Sequence, residues 1–117
     1  MATGSDRRFR DDGAFRRATN EVLEMLIDEI DEIEADLDPG LKPGNLQVVF
    51  EDDGSTFVLS QQTPTHEIWL SANLTAWHFF YDGQSWVERD SGEDMLSLLA
   101  GLFSAKLGEK IVFGANG

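Results

Sequence analysis

Closely spaced extended segments constrain the fold of this chain more than any other feature. They are rich in β-branched and aromatic residues and span 46–51, 56–60, 65–71, 76–81 and 86–89. Most of the turns between them carry Asp-Gly or Thr-Pro pairs, which are typical of reversals between neighbouring strands. Because parallel strands need crossover connections of about a dozen residues or more, these spacings predict an antiparallel meander.

Amphipathic helices flank the extended segments. Over residues 12–37 apolar side chains recur at spacings of three and four, as they do again over residues 95–107. Pro39 and Gly40 predict the end of the first helix, and residues 41–45 are expected to be a short connection. We also expect a last extended piece at 110–113.

Each predicted helix has an apolar stripe that needs cover, whereas an antiparallel sheet can leave one face in water. The sequence therefore predicts an α+β fold. The predicted architecture is a two-layer α/β sandwich, with the N- and C-terminal helices packed on one face of an antiparallel β-sheet of five to six strands. The length of 117 residues fits a single domain over 12–117. A flexible arginine-containing arm is expected over 1–11.

The net charge of the chain limits the kinds of partner that it can bind. It carries 22 acidic and 9 basic residues, for a formal net charge of −13. Five of the basic residues lie near the N-terminus: Arg7, Arg8, Arg10, Arg16 and Arg17. An acidic surface repels phosphate backbones, so we expect no nucleic-acid partner.

Further classes of function are disfavoured by what the sequence lacks. Without cysteine the chain has no disulfide, thiolate metal site or cysteine nucleophile of its own. No apolar run approaches the roughly 20 residues of a membrane span, and the N-terminal residues resemble neither a secretory signal nor an organellar presequence. We therefore expect a cytoplasmic protein with no membrane partner.

A ridge of carboxylates is predicted on the first helix, opposite its apolar stripe. At 100° per residue one sector gathers Glu21, Glu24, Asp28, Asp31 and Glu32. Each like-charged pair at these spacings costs about 0.2–0.5 kcal/mol of helix stability. Two explanations stay open: a surface that keeps the protein soluble, including in a salt-adapted organism, or a weak, exposed site for a hard cation. Three more acids, expected near one end of this helix, are Glu51, Asp52 and Asp53.

The segment 65–71 places a large apolar side chain on a polar face. With a period of two, Ile68 and Leu70 face one way, whereas Trp69 faces the other way with Glu67 and Ser71. The sequence contains no elbow motif or phosphate loop, and we assign no catalytic residue.

Three runs resemble the frataxin family in its bacterial form. They are QQTPTHEIWLS, HFFYDGQSWVERD and SGEDMLSLLAGLFSAKL, in that order after an acidic helix. The resemblance extends over about residues 12–113. Its most specific part is Gln62, Pro64, Trp69 and Leu70, spaced as Q-x-P-x-x-x-x-W-L.

The resemblance implies the same two-layer sandwich and a function without catalysis. Family members bind iron (Fe²⁺ or Fe³⁺) weakly through carboxylates and act in iron–sulfur cluster assembly, where they contact the cysteine desulfurase and the scaffold protein. The likeness therefore implies iron ligands at Glu21, Glu24, Asp28, Asp31, Glu32, Glu51, Asp52 and Asp53, and other divalent cations can be expected there. It implies a partner-binding sheet face at Gln62, Trp69 and His78, with Glu67 beside them. We expect a monomer.

This sequence departs from the family pattern at Ser60, where Asn is common, and at Glu67, where Gln is common, which makes the sheet face more acidic. The likeness assigns no role to the arginine-rich start. The alternative hypothesis is a small acidic protein-interaction module, such as a secretion-type chaperone, without a metal role. A ferroxidase-like enzyme is a weaker third option, since the sequence suggests no buried bundle of carboxylates.

Overall fold

The computed structural model describes residues 9–114. The helices and strands in this range are, in chain order, α1 (Asp12–Asp31), β1 (Leu37–Lys42), β2 (Asn45–Phe50), β3 (Ser55–Gln62), β4 (Glu67–Ala72), β5 (Thr75–Tyr81), β6 (Trp86–Glu88) and α2 (Met95–Leu107). No helix in the described range is long and apolar enough to cross a membrane.

The strands form one six-stranded sheet in the order β1-β2-β3-β4-β5-β6, and each neighbouring pair is antiparallel. The predicted meander and two-layer sandwich are therefore confirmed. Both helices contribute to one core with the same face of the sheet, as Ile30 of α1 and Phe103 of α2 do beside Leu59 and Leu70. Neither of the two helices in residues 9–114 covers the opposite face of the sheet.

α1 ends earlier than its apolar periodicity predicts. The last helical residue is Asp31, and the backbone N–H of Glu32 caps the helix by donating to the carbonyls of Glu29 and Ile30. The prediction of a helix to residue 37 was wrong. The last turn carries no basic residue, so nothing there offsets the negative end of the helix dipole.

The segment after α1 is an edge strand. Residues Leu37–Lys42 pair along their whole length with β2, which corrects both the predicted helix end and the predicted connection. Pro39 lies opposite Val48 in this ladder. Proline is tolerated here because an edge strand has one side without a neighbouring strand, where no N–H is needed.

The predicted extended piece at 110–113 does not join the sheet. Ile111 instead exchanges hydrogen bonds with Ser104 of α2, its N–H donating to Ser104 Oγ at 2.8 Å. Phe113 is buried, with its ring edge-on to that of Phe103 at a centroid distance of 5.2 Å. This segment therefore covers the core at the side of α2.

The arm predicted over 1–11 lies largely outside the described residues, and its flexibility stays a prediction. Its last part contacts the body of the protein. Phe9 donates its backbone N–H to His66 Nδ1 at 3.0 Å, and its ring stacks on Tyr81 at a centroid distance of 5.5 Å. Asp11 is the N-cap of α1 and accepts a hydrogen bond from the N–H of Ala14 at 2.7 Å.

Candidate functional site

The acidic ridge of α1 lies where the sequence predicts it. All five of its members are exposed: Glu21, Glu24, Asp28, Asp31 and Glu32. The ridge reaches both flanks of the helix. Glu21 lines a groove on the side of β6 and α2, together with Trp86, whereas Glu24 lines another on the side of β1, together with Lys42.

The ridge does not form a closed metal cage. Within residues 9–114 no three His, Asp or Glu side chains come together as a set able to hold a metal ion. The carboxylates of the ridge instead present hard oxygen donors to solvent. Such an array suits weak, water-rich cation binding and electrostatic contact with a basic surface.

The turn between β2 and β3 holds the three strand-side acids in different states. Glu51 and Asp52 are exposed. Asp53 forms an ion pair with Lys106 of α2 and accepts hydrogen bonds from the N–H and hydroxyl of Ser55 at 2.9 and 2.8 Å. The Lys106 hydrogen bond, followed by those from Ser55, holds the pKa of Asp53 well below its usual range. Asp53 is therefore already engaged by a cation of the protein itself.

Lys106 is held from two sides. Its ammonium pairs with Asp53 and also lies 5.6 Å from the centroid of the Phe50 ring. Asp36, Asp52 and Asp53 line a small cavity with this lysine. Two of the three strand-side acids, Asp52 and Asp53, therefore lie around a positive charge of the protein itself, whereas Glu51 does not line this cavity.

The sheet face without a helix carries Trp69 as predicted, in a row with Ser60 and His78 on the neighbouring strands. The indole is half-buried rather than fully exposed. Its Nε1–H donates to Glu67 Oε1 at 2.9 Å, and its ring lies 4.4 Å from that of His78. These contacts fix the orientation of the indole on the surface.

Glu67 links Trp69 to Arg89 on this face of the sheet. Although it lies on the face without a helix, it is only 6% exposed, because its carboxylate is enclosed by its neighbours. Oε1 accepts a hydrogen bond from Trp69 and another, at 3.2 Å, from the guanidinium of Arg89. Gln62 lies opposite Glu67 in the ladder and donates to Ser60 Oγ at 3.2 Å. The structure thus brings the four predicted partner-binding residues into one patch.

Three residues that shape these sites were not predicted from the sequence: Arg89, Lys106 and Glu88. Arg89 and Lys106 find their acidic partners across more than 20 residues of chain, and no local pattern signals such contacts. Glu88 is buried and accepts hydrogen bonds from the backbone N–H groups of His78, Asp90 and Ser91. In the sequence, the buried position of Glu88 is indicated only by its being a single acid within a short strand.

Comparison with known proteins agrees with this architecture. The family model described as a frataxin-like domain matches residues 8–109. Among solved structures, a frataxin from Psychromonas ingrahamii superposes with a TM-score of 0.81 at 23% identity, and the match covers 88% of this chain and 97% of that one. This likeness supports the fold.

Three relatives of this chain share one name. The iron–sulfur cluster assembly protein CyaY of Variovorax paradoxus is 33% identical over 95 residues, which cover 80% of this chain and 86% of that protein. The CyaY protein of Tolumonas auensis is 26% identical over 103 residues, covering 88% of this chain and 98% of the relative. That of Dechloromonas aromatica is 29% identical over 102 residues, covering 87% and 97%. This chain therefore belongs to the frataxin-like family, as a bacterial member of the CyaY type.

Proposed function

We propose that this protein is a non-enzymatic accessory factor of iron–sulfur cluster assembly that contacts the cysteine desulfurase and the scaffold protein. The names of its CyaY relatives support the pathway. The observation that carries the mechanism is the exposed acidic ridge, since no basic residue lies in the last turn of α1 and all five carboxylates face solvent. Such a surface is complementary to a basic patch on a partner.

The sheet face supplies the second contact. Trp69 presents a half-buried indole whose orientation Glu67 fixes by a hydrogen bond. Tryptophan is enriched among residues that carry binding energy at interfaces, because it buries a large area with little loss of side-chain freedom. We assign the electrostatic approach to the ridge and apolar anchoring to Trp69.

Iron is the cargo or modulator in this proposal. Exposed carboxylates bind hard cations weakly, and a bound ion neutralises part of the charge that attracts the partner. The ridge is a better candidate for the iron site than the β2–β3 turn, because an ion at Asp53 would have to compete with Lys106. Iron binding and docking are thus coupled through the same carboxylates.

The test is a binding measurement with purified cysteine desulfurase, at low and at high salt and with and without Fe²⁺ under anaerobic conditions. Replacing Glu24→Lys and Asp28→Lys together should weaken binding by about tenfold or more at low salt, because it reverses charge in the middle of the ridge. The same double variant should lose the line broadening that Fe²⁺ causes in the amide spectrum around α1.

The matched control replaces Glu93→Lys and Glu109→Lys, two exposed acids outside α1, with the same change in net charge. We expect the control to bind nearly as well as the parent chain. Equal weakening by both variants would show that net charge alone matters, and absence of desulfurase binding under all conditions would overturn the proposed function.

The alternative, an acidic interaction module or secretion-type chaperone without a metal role, has less support. Such proteins offer exposed apolar surface to clients. Among the described residues the exposed large hydrophobic side chains are Leu74 and Val112, which lie far apart in the sequence. Failure of both desulfurase binding and iron-induced broadening would favour this alternative.

A further inference from the structure

A groove with an apolar floor and an acidic rim lies between α1, α2 and the turn that joins β5 to β6. Its volume is about 330 Å³. Its apolar floor is formed by Ala18, Val22, Met25 and Leu96. Its acidic rim carries the carboxylates of Glu21 and Asp94. No basic residue is among the described residues that line it. We call it the α1–α2 groove.

The described chain begins at the wall of this groove. Tyr81 and Trp86 both line the groove, and both hold the ring of Phe9, at centroid distances of 5.5 and 5.9 Å. The hydrogen bond from Phe9 N–H to His66 Nδ1 fixes the backbone at the same point. Whatever precedes Phe9 is therefore tethered beside the groove.

The residues directly before this anchor are Arg7 and Arg8. Consecutive Cα atoms are about 3.8 Å apart, so chain connectivity alone limits the Cα atoms of both arginines to within about 8 Å of the Cα of Phe9. Residues 1–8 carry these two arginines against one acid, Asp6. The positive charge of residues 1–8 is therefore complementary to the negative charge of the groove's rim.

We propose that residues 1–8 dock within the same molecule into the α1–α2 groove, where Arg7 and Arg8 pair with Glu21 and Asp94. The aliphatic part of an arginine side chain covers apolar surface while its guanidinium binds carboxylates, which matches a groove of this composition. The tether keeps the effective concentration of the arm high, so weak individual contacts suffice. Docking neutralises the acidic ridge at Glu21, the member nearest the start of α1.

The other end of the chain is a poorer occupant. Gly114 donates its N–H to Glu29, and a Cβ there would lie 2.8 Å from Leu96 Cδ1, so the chain at Gly114 also lies close to α1 and α2. Residues 115–117, however, are Ala, Asn and Gly, whose side chains carry no charge to match Glu21 and Asp94. Charge complementarity therefore selects the N-terminal arm. This docking does not depend on the proposed function.

A spin label tests the docking directly. The chain has no cysteine, so Thr3→Cys gives one attachment site for a nitroxide. In the labelled protein the amide signals of Val22 and Ser85 should lose most of their intensity. Those of Gly54 should be retained, because the β2–β3 turn contacts the opposite end of α2 through Lys106. At high salt the broadening should fade, since screening shortens the reach of charge pairs.

Charge-reversed variants decide whether the arginines are responsible. Arg7→Glu with Arg8→Glu should abolish the broadening at Val22 and Ser85. Arg16→Glu with Arg17→Glu, exposed residues of α1, makes the same change in net charge and should leave the broadening in place. Broadening that survives the first double variant would overturn the proposal.

Two further outcomes would also overturn it. Broadening that appears when spin-labelled chains are mixed with unlabelled ¹⁵N chains would assign the groove to a second copy. Absence of broadening, combined with shifts of Val22 and Ser85 on deletion of residues 115–117, would assign it to the C-terminal tail.

Discussion

At the scale of single residues, Glu67 organises the sheet face that carries Trp69. Its enclosed carboxylate accepts a hydrogen bond from the indole N–H of Trp69 and another from the guanidinium of Arg89. A carboxylate with a charged partner can remain buried where an unpaired one cannot. The indole therefore keeps a fixed orientation without being part of the core.

Trp69→Ala should affect binding more than folding. Because the side chain is half-buried, we expect the free energy of unfolding to fall by about 1–2 kcal/mol, below the roughly 3–5 kcal/mol for a fully buried ring. Trp86→Ala, at a position only 6% exposed, is the comparison and should show the larger loss. Urea unfolding measures both; equal losses in the two variants would show that Trp69 is a core residue.

Glu88 should make stability depend on acid pH. Burial acts to raise its pKa, but the backbone N–H groups of Ser91, His78 and Asp90 outweigh burial and lower the pKa below 4.5. A lowered pKa stabilises the fold above the unfolded value, and this contribution is lost as pH falls from about 4.5 through the folded pKa. Glu88→Gln should therefore cost about 1–3 kcal/mol at neutral pH. Thermal melts from pH 7 to 3 should show a shallower decline for the variant, and parallel curves would contradict this assignment.

Leu74 occupies the turn between β4 and β5 with a positive φ of 64° and a fully exposed side chain. Left-handed backbone costs an L-residue roughly 1–2 kcal/mol, and glycine avoids this cost. Leu74→Gly should therefore raise the free energy of unfolding by about 1 kcal/mol. Leu74→Ala keeps the Cβ and should change little; a gain of the same size in both variants would locate the effect in the exposed side chain.

At the scale of elements, the strands were easier to predict than the end of α1. The faces of β4 follow from alternation alone, so Ile68, Leu70 and Trp69 were placed correctly. The helical spacing of Ile33 and Leu37 continues past Asp31, but a pairing partner in β2 decides the structure there. Such pairing is a tertiary effect, and it cannot be predicted from local periodicity.

Gly44, in the turn between β1 and β2, is required for two reasons. Its φ is +73°, and a Cβ would lie 2.4 Å from Cδ of Gln61, a side chain from β3. Its N–H also donates to Asn20 Oδ1 of α1, at 3.2 Å. The turn therefore joins the edge strand to both the sheet and the first helix.

Gly44→Ala should lower the free energy of unfolding by about 2 kcal/mol or more, since backbone strain and the displaced glutamine add. Gly40→Ala in β1 is the matched control, because Gly40 has nothing within 4 Å of a Cβ and no positive φ. The control should stay within about 0.5 kcal/mol of the parent chain. Equal effects in the two variants would mean that the edge strand tolerates no added side chain.

At the scale of the whole molecule, charge distribution was the most predictable property of the candidate site. The ridge follows from helical periodicity, and the structure leaves all five of its carboxylates exposed. The ion pairs of Glu67 with Arg89 and of Asp53 with Lys106 were not predicted, because each joins elements distant in sequence. The sequence therefore indicated that the carboxylates of the ridge face solvent, but not that Glu67 and Glu88 are buried or which acids form ion pairs.

The net charge of −13 should make folding depend on salt. Repulsion within the ridge opposes the folded state, and added NaCl shortens the Debye length from about 30 Å at 0.01 M to about 8 Å at 0.15 M. The melting temperature should therefore rise with NaCl, most steeply at low concentration. If the ridge dominates, Glu24→Lys with Asp28→Lys should flatten this rise, because it replaces like-charged neighbours on α1 by opposite ones.

Glu93→Lys with Glu109→Lys changes the net charge equally but leaves α1 intact, so its melting temperature should keep most of the salt dependence. Calorimetric melts of the three proteins across NaCl concentrations separate these effects. The same flattening in both variants would indicate that repulsion is spread over the surface rather than concentrated on α1. Retention of the full slope in the ridge variant would show that these carboxylates are not a source of strain, and relief of repulsion would then no longer favour cation binding there.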